Sequence, residues 1–392
     1  MTDQNKVSGK IINYNSSYIG DVYFSEKISD LKIKDSDDYN NIIIPGFIDL
    51  HCHGGNGFDV MEGSQSIIEM SKYHLRHGTT SIMPTTWTNT LENTISALKG
   101  FNEIKKDNDN NILGVHLEGP FINHNKLGAH PKLTEKPSLE FIKKILEIAD
   151  VKIITLAPEI DGMQEFINDL VELNIKIQFG HTLADFDCCE KIMKDHEIGF
   201  THLYNAMSGN HHRSPGVLSA ALSKGKYAEI ICDNIHVSKE AIKIAKKCIP
   251  GLYAITDSIN ASGLNDGEYI FAKNNIKKEN HSVKIKSDGT LAGSIVTMDQ
   301  TFKNLISMNF SLEEAVALTS YNASKYMKLD NVGIIQKNFL SNFLILDKEF
   351  NLKEYVNYDL QFEKTFLDPM RFILGAIGWS AEPKASLESF FV

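Results

Sequence analysis

The chain has 392 residues, 42% of them hydrophobic and 23% charged, proportions of a globular protein that exclude a disordered or fibrous chain. Fifty acidic against forty basic residues leave a formal net charge of −10 without any long Lys/Arg run, which argues against nucleic acid or an anionic membrane as the main partner. Residues 1–10 are polar, and no run reaches the about 18 apolar residues of a membrane span, so the cytosol is the expected compartment. Five cysteines without a CxxC pair are read as reduced thiols, not as a disulfide framework or zinc ribbon.

In chain order, residues 10–34 carry short Ile/Val/Phe-rich runs with polar breaks, the pattern of strands in a small sheet. From 43 to 258 such runs alternate with segments of helical periodicity. Strands are predicted at 43–53, 79–85, 112–121, 151–159, 175–182, 200–207, 228–236 and 252–258. Eight is the count of a closed (β/α)8, TIM-like barrel. Helices are predicted at 66–77, 138–149, 163–173, 299–308 and 311–327, the last opening with Ser311 and Glu314 spaced as a capping box. Residues 267–293 read as a hairpin excursion with a turn at Ser287-Asp288-Gly289. Strand-like runs return at 332–347, so a composite β-domain is expected from residues 1–42 and 331–392 around a catalytic barrel at 43–330. Residues 372–379 are unexpectedly apolar for a chain end.

Polar or ionisable groups end nearly every predicted barrel strand, which is where such a barrel gathers its active site. Strand one ends Asp49-Leu50-His51-Cys52-His53, and the period of two puts His51 and His53 on one side with Cys52 on the other. Two imidazoles so placed suit a divalent metal. Glu118 ends strand three before Gly119-Pro120, His181 ends strand five and His202 lies in the sixth segment, together an open three-ligand site. Such a site leaves a position for water and lowers its pKa toward neutrality. Asp257 ends strand eight, either as a general acid/base facing that water or as a cap or histidine partner. The loop 205–216 has the amides, glycines and the Arg213 fork that grip a phosphate, with His236 able to join, or else is a polar surface loop. His130 either polarises a carbonyl or is an exposed histidine. Cys188 and Cys189 read as small packed side chains on a helix.

Taken as an ordered series, Pro-Gly-Phe-Ile-Asp-Leu-His-Cys-His-Gly (45–54), His-Leu-Glu-Gly-Pro-Phe (116–121), Gly-His-Thr (180–182), Thr-His-Leu-Tyr-Asn-Ala-Met (201–207), His-His-Arg-Ser-Pro-Gly (211–216), Ile-Thr-Asp (255–257) and Leu-Ala-Gly-Ser (291–294) resembles N-acetylglucosamine-6-phosphate deacetylases of the amidohydrolase superfamily. The resemblance implies a (β/α)8 barrel with a small β-sandwich built from both chain ends. It also implies hydrolysis of the acetamide of N-acetyl-D-glucosamine 6-phosphate to acetate and D-glucosamine 6-phosphate. By motif it assigns Glu118, His181 and His202 to the principal metal, Asp257 to acid/base work and His130 to polarising the amide carbonyl. Asn205, Ala206, Arg213 and His236 match phosphate-holding positions, the arginine reaching across a homodimer interface. With His51 and His53 present, one or two divalent ions per subunit are expected, Glu118 bridging when there are two. Imidazole and carboxylate ligands suit Zn, Fe, Mn or Co, with Zn the first expectation. Two other readings stand beside this one: the galactosamine epimer as substrate, and a non-catalytic scaffold of the same fold.

Overall fold

The computed structural model describes residues 5–106 and 111–357. Eight parallel barrel strands follow one another in the expected order: Phe47–Cys52, Thr79–Thr86, Val115–Glu118, Val151–Leu156, Lys176–Phe179, Ile198–Phe200, Tyr227–Ile231 and Gly251–Ile255. The first six pair in sequence and the last two pair with each other. Closure runs through the Leu203 amide to the Glu229 carbonyl (2.9 Å), and through the Asp257 amide to the His51 carbonyl (2.9 Å). In strand four, alternation puts Ile153 with the interior cluster of Leu50, Met83, Ile231, Tyr253 and Ile255, while Ile154 and Leu156 face the helices. Tyr326 and Ala323, from the helix Asn322–Met327, join that interior cluster.

The helices behave as their periodicity predicts. Leu139–Leu146 buries Phe141, Ile142 and Ile145, and Met163–Glu172 buries Phe166, Ile167 and Leu170 against the barrel; each such side chain contributes about 1.5–3 kcal/mol. Ser311 and Glu314 form the expected capping box. The helix expected over 311–327 is interrupted by a wide turn at Ala317–Tyr321, where the Ser320 hydroxyl donates to the Gly46 carbonyl at 3.0 Å.

Three expectations are corrected. The segment 43–53 is two strands, Ile42–Pro45 and Phe47–Cys52, broken at Gly46, where any side chain would collide with Thr80 and Asn342. The first of them joins the sheet of the chain ends, which therefore reaches past the boundary expected at 43. Strand six is Ile198–Phe200, not 200–207, because His202, Tyr204 and Ala206 hold positive φ angles of 27°, 81° and 51° that no strand accommodates. The excursion is a three-stranded meander, Gly267–Phe271, Asn274–Glu279 and Ser282–Ile285, with Ala272 and Lys273 (φ 47° and 67°) forming its first turn. The turn expected at 287–289 follows it and brings Leu291 back beside Lys284.

Both chain ends meet in one six-stranded sheet, in which Leu352–Asn357, Asn342–Leu346, Ile42–Pro45, Asn5–Asn13, Ser16–Phe24 and Ile28–Ile33 lie in that order. Phe24 and Phe343 belong to strands three places apart, about 14 Å in a flat sheet, yet their rings meet edge to face at 5.0 Å. The sheet therefore folds over on itself around Ile11, Val22, Ile28, Ile43 and Ile345, while Ile12, Ile44 and Leu344 on its other face pack into the barrel's core. The apolar stretch 372–379 lies outside the described residues. No helix among the described residues is long and apolar enough to cross a membrane.

Candidate metal centre

At the C-terminal rim of the barrel the pairing of strand one with strand two shifts register between Asp49 and Cys52. Beyond the shift His51 and His53 share one side, their Nε2 atoms 3.2 Å apart, and Cys52 turns to His74 on the outer helix Ser64–Arg76. Glu118 ends strand three, buried between two groups. Its Oε1 lies 3.0 Å from His181 Nε2 and 2.9 Å from His202 Nε2. Its Oε2 lies 2.9 Å from His130 Nε2, 3.1 Å from His53 Nε2 and 3.5 Å from His51 Nε2. Asp257 Oδ1 stands 3.2 Å from His53 Nε2 and 3.6 Å from His51 Nε2. His181 (φ 49°) and Asp257 (φ 50°) share with His202 a left-handed backbone that costs free energy and concentrates at functional sites. Gly293 lies beside Asp257 because a Cβ there would press on Ile259 and on the Asp257 carbonyl.

Outer partners fix which ring nitrogen is free. His53 Nδ1 donates to the Thr85 carbonyl (2.9 Å), His181 Nδ1 to the Lys126 carbonyl (2.7 Å) and His51 Nδ1 to Glu229 Oε2 (2.9 Å), leaving each Nε2 lone pair turned to the centre. His130 is the opposite case. Its Nδ1 accepts the Thr88 amide N–H at 3.1 Å, so its proton sits on Nε2, and burial holds its pKa down at about 4. It is thus a neutral N–H donor.

Burial disfavours charge on His51 and His53, but Glu118 with Glu229, and Asp257 with Glu118, outweigh it: His51 is raised, and His53 reaches about 9. Burial likewise disfavours ionised Glu118 and Asp257, and the surrounding imidazoles outweigh it, taking Asp257 to about 2. Imidazoles driven to take up protons against three buried carboxylates mark a centre short of positive charge. No Lys or Arg among the described residues pairs with Glu118, Glu229 or Asp257. A divalent ion fits this deficit. Glu118, His181 and His202 form one set able to hold it, and His51, His53 and Asp257 a second.

A cavity of about 360 Å³ opens over the centre, lined by His130, Asn205, Ala206 and His236 together with Phe271 and Leu291. Its size suits a small ligand. His236 is oriented by Asp233, whose Oδ2 accepts from Nδ1 at 2.6 Å. Arg213 is exposed and is not among the residues lining this cavity. Of the sequence candidates, then, all but Arg213 converge. Sequence reasoning missed Glu229, fully buried behind His51, and His116, which donates from Nδ1 to the Leu50 carbonyl (3.1 Å). An acid in the middle of the apolar strand Tyr-Ala-Glu-Ile-Ile was the available signal.

Residues 42–371 match the model of the amidohydrolase family. The chain belongs to that family. This amidohydrolase is 39% identical over 301 residues to the N-acetylglucosamine-6-phosphate deacetylase of Bacillus subtilis (strain 168), covering 74% of this chain and 76% of the relative. The crystal structure of N-acetylglucosamine-6-phosphate deacetylase from Thermotoga maritima matches this amidohydrolase with a TM-score of 0.84 at 31% identity, over 91% of this chain and 98% of that one. An N-acetylgalactosamine-6-phosphate deacetylase of Escherichia coli O157:H7 is 28% identical over 323 residues, 80% of this chain and 85% of its own. The membership expected from the motifs holds, and so does the barrel with a small β-domain.

Proposed function

We propose that this amidohydrolase removes the acetyl group of N-acetyl-D-glucosamine 6-phosphate, releasing acetate and D-glucosamine 6-phosphate in amino-sugar catabolism. The observation that carries the reading is the convergence of two ligand groups, Glu118 with His181 and His202, and His51 with His53 and Asp257, joined through Glu118 beneath one cavity. The relatives that share this chain's length supply the substrate.

Glu118, His181 and His202 would hold the principal divalent ion, with His51 and His53 for a second that Glu118 bridges; zinc is our first expectation, and iron, manganese or cobalt suit the same donors. Such an ion acidifies water and polarises a carbonyl. Asp257 accepts the proton of the attacking water and delivers it to the departing amine, work that its place in the cavity lining allows. His130 donates its Nε2–H to the carbonyl oxygen as negative charge develops there. Asn205, Ala206 and His236 hold the phosphate, and Arg213 completes that grip in the cavity of a second subunit, so the working form is a cytoplasmic homodimer. That placement accounts for an exposed arginine in a phosphate-binding motif.

The test is acetate release from N-acetylglucosamine 6-phosphate, with and without chelation, against the unphosphorylated sugar. Turnover that needs the phosphate and is lost on chelation supports the reading. Turnover unchanged by chelation, or equal on the free sugar, sinks it. The similarity to the Escherichia coli enzyme keeps the galactosamine epimer as the second reading, and a higher kcat/KM on that epimer would select it. A scaffold without catalysis would show no turnover on either sugar after reloading.

A further inference from the structure

We propose that Glu229 is the positioning residue that ties the two halves of the metal centre together, fixing His51 for the second ion and His202 for the first. The inference rests on the metal-dependent reading above. Glu229 lies on strand seven, Tyr227–Ile231, with no part of it exposed. Its flanking residues Ala228 and Ile230 belong to the core outside the barrel, so the carboxylate points inward, on the side of Ile231. One oxygen, Oε2, accepts from His51 Nδ1 at 2.9 Å and from the His202 backbone N–H at 3.2 Å.

Those two bonds reach different ligand sets. Holding the His51 proton on Nδ1 commits its lone pair to Nε2, the atom that faces Glu118 and Asp257. Holding the His202 amide restrains a residue whose φ of 27° is sparsely populated, and whose Nε2 meets Glu118 Oε1. A carboxylate behind an imidazole ligand fixes the tautomer and raises the basicity of the ring, and removing such partners typically costs ~10–100-fold in metal affinity.

Packing gives no reason for an acid here. Glu229 Oε1 is buried with no hydrogen-bond partner among the described residues, an arrangement that an apolar residue would avoid. The imidazole of His116 has Nδ1 at 4.0 Å from this oxygen but spends its proton on the Leu50 carbonyl, and its Nε2 bonds the Thr155 hydroxyl at 2.7 Å. His116 is therefore unsuited to complete a third ion site with His51 and Glu229. A negative charge one imidazole away from a divalent ion is what the position supplies.

The test uses full-length protein stripped by chelation and titrated with cobalt(II), following its visible absorption and counting ions per chain by elemental analysis. Glu229→Gln keeps the volume and an oxygen for His51 but removes the charge, and should weaken the second ion ~10-fold; Glu229→Ala removes both and should weaken it ~100-fold with a changed spectrum. Partial recovery from Ala to Gln distinguishes positioning from loss of fold, which far-ultraviolet circular dichroism monitors. If Ala fails to fold, the Gln variant decides alone. Either folded variant binding both ions with wild-type affinity and spectrum overturns the proposal. Wild-type protein that takes up no cobalt would sink the metal-dependent reading and this inference with it.

Discussion

Asp257 shows how one side chain is tuned by its neighbours. Burial would keep it protonated, but His53 and His51 hold its pKa at about 2, so it stands ionised as a proton acceptor at neutral pH. Asp257→Asn should lower turnover at least ~100-fold while cobalt bound at Glu118, His181 and His202 stays within reach of wild type, as read by steady-state kinetics beside ion counts. Near wild-type turnover would remove Asp257 from the mechanism. Far from the centre, Asp21 pairs with Lys34 at 2.6 Å and Lys6 at 3.3 Å, and although burial pushes the other way these partners take its pKa from 3.8 to about 2. A carboxylate whose folded pKa is depressed binds its proton more readily when unfolded. Its stabilisation is therefore complete above 3.8 and is lost as pH falls toward about 2. Asp21→Asn should make the melting temperature less steep over that interval; an unchanged slope would show the pair to be without effect.

Among the elements, the meander 267–285 has the least obvious reason to exist, since it adds nothing to the barrel's closure. It places Phe271 in the cavity wall and packs Ile276, Val283 and Ile285 with Ala129 and Trp87 around the loop that carries His130. Asn274 Nδ2 donates to the Ala129 carbonyl at 2.7 Å, one residue before His130. Asn274→Ala should cost about 1 kcal/mol of stability and lower turnover several-fold, because His130 needs sub-ångström placement to meet a developing oxyanion. Denaturant unfolding and kinetics on the same variant check both parts. Loss of stability with unaltered turnover would reduce the meander to a cover.

For the whole molecule, Arg213 sets the question, because an exposed arginine can complete a phosphate site only if another subunit brings the site to it. Arg213→Ala should raise KM with little change in ion content. Mixing refolded Arg213→Ala subunits with Asp257→Asn subunits should restore turnover at low substrate, which neither parent shows, since one cavity in each mixed dimer then has both an intact Asp257 and its partner's arginine. No recovery from a mixture shown to contain mixed dimers would place Arg213 outside the phosphate grip.

Much of this protein was legible without its fold. Short apolar and β-branched runs alternating with helical segments marked the barrel strands, the 3.6-residue stripes marked Leu139–Leu146 and Met163–Glu172, and polar or ionisable residues closing nearly every strand marked the centre, because a parallel barrel carries those ends to one rim. What the tertiary structure decided depends on contacts between distant segments. Position 46, between two strands, takes only glycine because Thr80 and Asn342 occupy the space a side chain would need. Residues 201–207 look extended by composition, yet the turn that delivers His202 and Ala206 to the cavity requires positive φ angles. His130 is a neutral donor only because the Thr88 amide, brought from another strand end, takes the lone pair of Nδ1. Glu229, read along the chain, is an acid in an apolar strand; closure of the barrel puts His51 and His202 on its one paired oxygen. Local pattern set which residues reach the rim, and three-dimensional closure set the protons, tautomers and distances among them.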